Sequence, residues 1–568
     1  MRRTRQTLKS AWYIVGLLLV PVAVWSGPEA DTIFVHGYIF TGGRPDNALE
    51  HLSGLAVRQG LVVAVGTDRD VERLARKGTK IIDLRNAFVM PGFNDAHVHL
   101  ASAGFSKLQV DLTGVRSLDE LTDRVRRAVN YSSPTAWVRG RGWDHTLWPS
   151  RKLPTRHDLD IVTGEHPAIF TRIDGHIAVA NSSALKYANI GRNTPDPFGG
   201  EIDRDGAGKP TGILRETAME LVYEKLPQPS PGERREALEL AMSDAVSHGL
   251  TSVQDYSSWD DFLVYEQLET EGKLPLRISE WLTFNDPLLT LIRERASHLL
   301  DDPMLHTGML KGFMDGSLGS RTAALKTRYS DDAGNKGIPQ YDQAKLNRMT
   351  VARAQAGFRI GFHAIGDQAV RMALDAFASA EAALPGEKPA DFRFRIEHDQ
   401  VIDPQDLPLQ ARLGVIASMQ PNHLLSDMRW ALQRIGPARA RYSYAWKSML
   451  DHRIPLAFGT DYPVEPVTPF RGLYAAVTRR PEPGSPVPAD RAYFPEECLT
   501  LGQAIYAYTQ GAAYAEGMES HKGKLVPGYL ADFVVLDRDL FKVTPEEILN
   551  ARVLRVVVGG KTVYQSAD

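Results

Sequence analysis

The sequence predicts an α/β protein in which βα units form a parallel sheet, closed as a (β/α)8 barrel, with a small β domain built from both termini. Three observations support this prediction. The centre of the chain alternates short apolar strands with amphipathic helices, which is typical of βα units. The segments that flank this centre, after the N-terminal apolar run, contain short apolar runs divided by Gly and Asn, which indicate β-strands. Polar residues follow the central strands, at the end where a barrel carries its functional site.

Composition limits the classes of function. The 568 residues carry a formal net charge of −3, so no overall basic field indicates nucleic acid as a partner. Apolar residues make up 43% of the chain and charged residues 24%, as in ordinary globular proteins. Cys498 is the single cysteine, which excludes an intramolecular disulfide and a thiolate metal cluster. Any metal must therefore be bound by His, Asp, Glu or a modified Lys.

The first residues of the chain predict an export segment. An apolar run over 11–25 follows four basic residues, Arg2, Arg3, Arg5 and Lys9. A basic start before a short apolar run indicates a signal peptide, and roughly 15 residues are fewer than the ~20 that span a bilayer. We expect residues 1–27 to be a signal peptide or an uncleaved N-terminal anchor. The protein is then exported to the periplasm or the medium, or anchored to the inner membrane through this segment alone.

Short apolar runs divided by Gly and Asn indicate β structure at both ends. Near the start they include Thr32–Val35 and Leu61–Val65. Near the end, Gly559 and Gly560 separate two such runs, as in a β-hairpin. We expect one small β domain with two parts, residues 28–90 and 521–568.

The segment between these parts, residues 91–520, is predicted to be the barrel. Ser117 and Glu120 form a capping-box pattern at the start of one helix, and Ser230 begins another. More than eight candidate strands occur in this segment, so some of them belong to an insertion. The Gly-, Pro- and Asp-rich stretch around 144–220 is the expected insertion.

Two histidines one residue apart follow the turn Pro91-Gly92. In a strand, residues i and i+2 point to the same face, so His97 and His99 would direct both imidazoles at one point. Neutral imidazole is a ligand for Zn, Ni, Fe or Mn. This pair therefore predicts a metal site at a strand end, provided that the rest of the chain supplies further ligands.

Further polar residues stand at the ends of later apolar strands. The segments that carry them are PGFNDAHVHL, LKGFMDGSLGSRTAAL, FHAIGD, RIEHDQ, SMQPNH, FGTDYPVEPVTPFRG and KGKLVPGYLADFVVLD. In this order and spacing they resemble the amidohydrolase superfamily, and more narrowly the amidohydrolase-3 or YtcJ-like group, which includes N-substituted formamide deformylases. The resemblance implies a distorted (β/α)8 TIM barrel with a binuclear metal centre and a composite β-sandwich domain formed from both termini.

The resemblance also implies a role for each matching residue. His97 and His99 would bind one metal ion, and His363 and His398 the other. Lys311 would bridge the two ions as a carbamate made with CO₂. Asp461 would bind the first ion and act catalytically in proton transfer. The expected cofactor is therefore two divalent metal ions, with Zn²⁺ as the first choice.

These residue types suit hydrolysis. Burial lowers the pKa of a lysine and favours the neutral amine that reacts with CO₂. Two metal ions lower the pKa of a bridging water and polarise a scissile carbonyl. The bridging water would then attack as a metal-activated hydroxide. Asp461 could take the proton of this nucleophile and pass it to the leaving nitrogen.

Five other residues at strand ends are expected either to contact substrate or to support neighbouring loops: Trp143, His176, Asp315, Arg321 and His423. The remaining histidines without a motif are expected at the surface or in loops, among them His145, His157, His248 and His306.

The leading hypothesis is a metal-dependent hydrolase that cleaves the C–N bond of a small-molecule amide other than a peptide. Hydrolysis of an ester or lactone, or deamination, could use the same centre. A non-catalytic envelope binding protein is the alternative outside enzymes, and it predicts loss of ligands. The expected partner is a small-molecule amide, and a homodimer is among the assemblies that the sequence leaves open.

Overall fold

The computed structural model describes residues 29–43, 52–130, 136–298, 302–488 and 491–567. The predicted export segment, residues 1–27, lies outside these ranges. Among the described residues, no helix combines the length and the apolar character that crossing a membrane requires.

The N-terminal part forms strands of two different sheets. In chain order the strands are β1 (Thr32–Val35), β2 (Tyr38–Ile39), β3 (Gly54–Arg58), β4 (Leu61–Gly66), β5 (Lys80–Asp83) and β6 (Phe88–Pro91). One sheet has the order β4-β3-β1-β5, whereas β2 and β6 belong to a second sheet.

The first barrel strand is followed by an inserted sheet. The strands are β7 (Phe93–Val98) of the barrel and then β8 (Val110–Asp111), β9 (Val138–Trp143), β10 (Ala168–Arg172), β11 (Ile177–Ala180), β12 (Gly200–Arg204) and β13 (Pro210–Glu216). The inserted sheet has the order β12-β13-β11-β10-β9-β8. It begins well before residue 144, where the sequence placed the insertion, because β9 pairs in parallel with both β8 and β10.

The barrel continues after the insertion with seven strands: β14 (Leu250–Asp255), β15 (Arg277–Thr283), β16 (Leu305–Phe313), β17 (Ile360–Ala364), β18 (Arg395–His398), β19 (Ile416–Met419) and β20 (Leu456–Phe458). Together with β7 they form an eight-stranded sheet in the order β7-β14-β15-β16-β17-β18-β19-β20, and every neighbouring pair is parallel. A parallel bridge from Val98 to Tyr462 joins the first strand to the chain after the last. Register shifts in two pairs distort the barrel, so the predicted distorted (β/α)8 barrel is confirmed.

The C-terminal strands are β21 (Phe533–Leu536), β22 (Val553–Val558) and β23 (Lys561–Gln565). They complete the second terminal sheet, in the order β2-β6-β21-β22-β23. Side chains from both termini share one core, which includes Phe34, Leu55, Phe533 and Val557. The rings of Phe34 and Phe533 meet edge to face, with centroids 4.9 Å apart. The small domain is therefore a sandwich built from both ends of the chain.

Helices follow most barrel strands and cover the sheet. In chain order they are α1 (Asp68–Glu72), α2 (Leu100–Leu108), α3 (Leu118–Val129), α4 (Arg156–Thr163), α5 (Ser182–Tyr187), α6 (Glu220–Tyr223), α7 (Pro231–Ser247), α8 (Trp259–Thr270), α9 (Leu288–Ala296), α10 (Gln343–Gln355), α11 (Asp367–Ala383), α12 (Leu407–Leu413), α13 (Pro421–Asp427), α14 (Ala431–Ala440), α15 (Trp446–Asp451), α16 (Pro469–Thr478), α17 (Leu501–Tyr506), α18 (Ala512–Glu516) and α19 (Pro545–Ile548). The predicted caps form, since Ser117 accepts from the backbone N–H of Glu120 and Ser230 makes a reciprocal box with Glu233.

Candidate metal centre

The residues predicted as ligands meet at one end of the barrel. His97, Lys311, His363 and His398 lie in the last third of β7, β16, β17 and β18, while His99 directly follows β7 and Asp461 follows β20. Because the strands are parallel, their carboxyl ends lie on the same side. The barrel therefore brings together residues more than 300 positions apart in sequence.

Hydrogen bonds fix the orientation of the first two imidazoles. The Nδ1–H of His97 donates to Glu397 Oε2 at 2.7 Å, and the Nδ1–H of His99 donates to the Tyr256 carbonyl at 3.2 Å. Each ring therefore keeps the lone pair of Nε2, and the two Nε2 atoms are 3.3 Å apart. Such outer partners typically orient metal-binding histidines. Burial and the neighbouring Lys311 charge lower the pKa of His97 to about 4, so its ring is neutral, as a ligand must be.

Asp461 lies between two groups of histidines. Its Oδ1 is 3.2 Å from His99 Nε2 and 3.5 Å from His97 Nε2, and its Oδ2 accepts from His423 Nε2 at 3.1 Å. Burial alone would raise the pKa of this carboxyl, but His97, His423 and the other rings hold it well below its usual range. At this end of the barrel, two sets of donor atoms lie close enough together to surround an ion: His97, His99 and Asp461, and His398, His423 and Asp461.

Lys311 is buried beside these groups without a carboxylate contact. Its Nζ lies 3.3 Å from His97 Nε2 and 5.3 Å and 5.0 Å from the ring centroids of Trp281 and Phe313. Burial lowers its pKa to about 8, with Glu397 and Asp461 opposing the shift. A minor fraction of this amine is thus neutral at pH 7, but a far larger one than in a lysine with the ordinary pKa.

His363 and His398 are in contact, with ring centroids 4.5 Å apart. Burial and neighbouring positive groups lower the pKa of both well below the usual value. The Nε2–H of His363 donates to the Gly316 carbonyl at 3.2 Å, which leaves Nδ1 as its free nitrogen. Nδ1 of His398 is buried without a hydrogen-bond partner. An orphaned buried nitrogen of this kind fits a metal ligand.

Strained backbone occurs at two of these residues. His398 has φ 73° and Asp461 has φ 59°, a region that side-chain-bearing residues seldom adopt. Such strain is found chiefly at functional sites, where the surrounding structure enforces it. Asp95 supplies part of that constraint, because its carboxylate accepts from the backbone N–H groups of both His97 and Thr460.

The sequence interpretation missed the residues that support the ligands. Arg395 pairs with Glu397 on the same face of β18, and Glu397 in turn orients His97. Their i, i+2 spacing next to His398 was the available signal. Gly459 also has a specific role, because a Cβ there would lie 2.6 Å from both Asp95 Oδ1 and His97 N.

A cavity of about 890 Å³ opens above the centre. His176 and His423, two of the five expected substrate contacts, line it. The ring of His176 is 5.1 Å from that of His363, and its Nδ1 pairs with Glu216 at 2.9 Å. Burial opposes protonation, but Glu216 raises the pKa of His176 to about 9.

The other three expected contacts lie away from the cavity lining. Trp143 is fully buried and donates its indole N–H to the Phe170 carbonyl at 2.8 Å. Asp315 is also buried and accepts from backbone N–H groups, including that of Gly366 at 2.8 Å. Arg321 pairs with Asp331 at 2.8 Å. Each side chain is engaged by protein groups, so these three are corrected to supporting positions.

Two histidines expected at the surface or in loops are buried. His145, two residues after the end of β9, packs beside Trp143. His306 lies inside β16 and contacts Glu516 at 3.3 Å. Neither has an apolar-face pattern in sequence that would have indicated burial.

Comparison with known proteins identifies the family. The profile of the amidohydrolase family matches residues 80–564. The chain belongs to the amidohydrolase family. The putative amidohydrolase YtcJ of Bacillus subtilis is 33% identical over 553 residues, covering 96% of this chain and 100% of that protein. The N-substituted formamide deformylase of Arthrobacter pascens is 28% identical over 523 residues, covering 90% of this chain and 94% of that protein.

A solved structure agrees with this assignment. The crystal structure of an uncharacterised metal-dependent hydrolase from Pyrococcus horikoshii OT3 superposes with a TM-score of 0.72 at 30% identity, covering 90% of this chain and 99% of that one. The predicted membership of the amidohydrolase-3, YtcJ-like group is confirmed. This amidohydrolase is thus a member of a metal-dependent hydrolase family, with candidate ligand groups at the expected barrel end.

Proposed function

We propose that this amidohydrolase cleaves the C–N bond of a small-molecule amide in a centre that binds two divalent cations, with zinc as the first choice. The observation that carries the proposal is the convergence of imidazoles on Asp461, among them the neutral rings of His97 and His398, beside a buried lysine that no carboxylate of the described residues contacts. The named activity of the Arthrobacter pascens relative favours an amide over other substrates.

The donor set fits such cations. His97, His99 and Asp461 would hold one ion, and His363 and His398, whose rings are in contact, would hold the other. The geometry also brings His423 to Asp461, to which its Nε2–H donates. Burial opposes protonation, but Asp461 raises the pKa of His423 to about 9, so this ring supports the carboxylate and does not join the ligands. When bound, the cations supply Lewis acidity, which lowers the pKa of water and polarises a carbonyl.

Asp461 is the group that moves the proton. Its pKa is held well below the usual range despite burial, so it is an ionised base in the resting site. It can accept a proton from the attacking water and deliver it to the leaving nitrogen. His423, hydrogen-bonded to Oδ2, holds the carboxylate in place during this transfer.

Lys311 is proposed to become the bridging ligand. Its neutral amine would add to CO₂, forming an N–C bond and releasing one proton to solvent. The product is a carbamate with two oxygens in place of an ammonium that cannot bind a cation. The lowered pKa of Lys311 and its lack of a carboxylate contact favour this reaction over a permanent ion pair.

Ester or lactone hydrolysis and deamination remain the alternatives on the same centre, because fold and centre do not determine the substrate. A non-catalytic binding protein is disfavoured, since the predicted ligand positions all retain ligand side chains.

Metal content and a substrate screen test the proposal. Protein purified without chelators should contain about two divalent ions per chain, measured by elemental analysis. The metal-loaded protein should hydrolyse formamides or other N-acyl amines faster than matched esters. Less than about half an ion per chain in active protein, or turnover of esters alone, would contradict it.

We also propose that the protein is exported, because a basic start and a short apolar run precede the described residues. N-terminal sequencing of natively expressed protein should find a mature chain beginning near Gly27. A cytoplasmic product that retains Met1 would contradict export.

A further inference from the structure

Two arginines of the inserted sheet line the cavity side by side. Arg139 and Arg141 lie on β9 and both line the cavity, as the i, i+2 alternation of a strand requires. Gly140 between them and Gly142 after them pack against neighbouring backbone: a Cβ at Gly140 would lie 2.6 Å from the Val110 carbonyl oxygen, and one at Gly142 2.4 Å from Thr113 Oγ1. The close packing of these glycines leaves the arginines facing the cavity.

The Arg141 guanidinium is held only by neutral oxygens. One terminal nitrogen donates to Ser102 Oγ at 2.9 Å and the other to the Ile173 carbonyl at 2.7 Å. Within the described part of the chain, no carboxylate forms an ion pair with Arg141 or Arg139, although Asp461 acts on Arg141 and Glu233 on Arg139 at longer range. The two hydrogen bonds fix the plane of the Arg141 fork and use one N–H of each terminal nitrogen, which leaves a second N–H on each.

Other arginines of the cavity wall are neutralised by protein carboxylates. Arg172 contacts Asp144 at 2.7 Å and Asp174 at 2.5 Å. Arg471 is held between two glutamates at 2.8 Å and 2.7 Å. The acidic side chains of the wall are also engaged by protein groups. These side chains are Asp144, Asp174, Asp427, Asp461, Glu465 and Glu482. Arg139 and Arg141 thus differ from these arginines, because the carboxylates that interact with them act only at longer range.

The two arginines line the same cavity as His97, His99 and Asp461. Burial lowers the pKa of Arg141, and the charge of Asp461 opposes that shift, so the two groups interact electrostatically. A guanidinium stays protonated at any ordinary pH. Removing a cation from water without a counterion is costly, so a ligand anion at this position would be strongly favoured.

We propose that the substrate of this amidohydrolase carries a carboxylate, which Arg141 binds through its two free N–H groups while Arg139 adds positive charge. A planar fork of this kind matches the two oxygens of a carboxylate. The inference rests on the proposed amide hydrolysis and adds the substrate class: an N-acyl or N-formyl amine with an acidic group outside the scissile amide.

A matched pair of substrates tests this preference. N-formylphenylalanine and N-formyl-2-phenylethylamine differ only in the carboxylate. The metal-loaded enzyme should have the larger kcat/KM for the acid, and Arg141→Gln should reduce the acid-to-neutral ratio by about 10- to 100-fold. Arg141→Lys should recover only part of the ratio, because an ammonium cannot form the fork. An unchanged ratio in Arg141→Gln that retains its metal would overturn the proposal.

Arg429→Gln is the control variant. Arg429 also lines the cavity but lies 3.6 Å from Asp144, and Asp144 keeps its closer partner Arg172 when Arg429 is changed. The acid-to-neutral ratio of Arg429→Gln should stay near wild type. A drop equal to that of Arg141→Gln would show a general loss of cavity charge and would overturn the assignment to Arg141.

Measurements of ligand binding that need no turnover test the anion site independently of the proposed reaction. Calorimetry should show 3-phenylpropionate binding more tightly than 3-phenylpropanamide, with the difference lost in Arg141→Gln. If no amide is hydrolysed but this difference is found, the reaction is wrong and the anion site stands. If amides are hydrolysed but the acid binds equally to wild type and Arg141→Gln, the reaction stands and the anion site is wrong.

Discussion

Two buried lysines, Lys311 and Lys522, lie at opposite ends of the barrel and have opposite surroundings. Lys522 contacts both oxygens of Glu516, at 2.6 Å and 2.7 Å, and donates to Ser252 Oγ at 2.5 Å. His306 and Asn94 also contact Glu516, and Ser252, His306 and Asn94 all stand near the beginnings of barrel strands. Lys311 lies near the end of β16, where its Nζ contacts His97 Nε2 and faces two aromatic rings, and no carboxylate of the described residues contacts it.

The difference shows how the same residue type serves structure at one end and chemistry at the other. Burial lowers the pKa of both lysines, but Glu516 directly opposes the shift of Lys522 through contact and hydrogen bonding. The ion pair at the strand beginnings is complete, so it has nothing further to bind. At the strand ends, unpaired nitrogens and a partly neutral amine remain available to a ligand.

Lys311→Ala should have the largest effect on function. If Lys311 bridges two cations, its loss should remove most of the metal and bring activity close to the detection limit, while the thermal transition remains cooperative. Metal analysis and activity of the same preparation measure this. A short-chain carboxylate added to the variant should restore part of both. A variant with wild-type metal and turnover would exclude the bridge.

Asp461→Asn should separate chemistry from metal binding. The amide oxygen can still coordinate and the histidines remain, so much of the metal should be retained. The rate should fall by about 10²–10⁴-fold, the usual contribution of a general acid–base group. The assay must be run at saturating metal, so that a binding defect is not read as a catalytic one. Turnover near wild type would rule out the proton-transfer role.

Lys522→Met should give the reverse pattern to Lys311→Ala. It leaves the Glu516 charge buried without its main partner, which typically costs about 3–5 kcal/mol of stability. Urea unfolding monitored by circular dichroism should show the loss, whereas metal per folded chain should stay at the wild-type value. Loss of metal from folded Lys522→Met would contradict a purely structural role for the ion pair at the strand beginnings.

Glu397→Gln should have the smallest effect of the four. Glu397 orients His97 and also pairs with Arg395, and loss of such an outer partner of a ligand usually lowers metal affinity by about 10- to 100-fold. Competition with a chelator measures the affinity. Glu381→Gln, at an exposed pair with Arg412, is a control that should leave it unchanged. If Glu397→Gln and Glu381→Gln bind metal with equal affinity, Glu397 does not orient a ligand.

Much of the fold and part of the site could be predicted because their signals are local. Alternation in a strand predicted the shared face of His97 and His99, and capping residues marked helix starts at Ser117 and Ser230. Alternating strands and helices indicated the barrel. Lys311, His363, His398 and Asp461 were found because each follows an apolar run in an order that resembles one family.

Only the tertiary structure determined which of these groups come into contact. His423 reaches Asp461, His363 turns its Nε2 to the Gly316 carbonyl, and Trp143 is buried instead of lining the cavity. Neither the partnership of Glu397 with His97 nor the missing counterion of Arg141 is visible in sequence. Strand periodicity specifies a face of one segment, whereas contacts depend on how distant strand ends meet when the barrel closes. The sequence by itself therefore determined the chemical types at the site, and barrel closure decided their pairing.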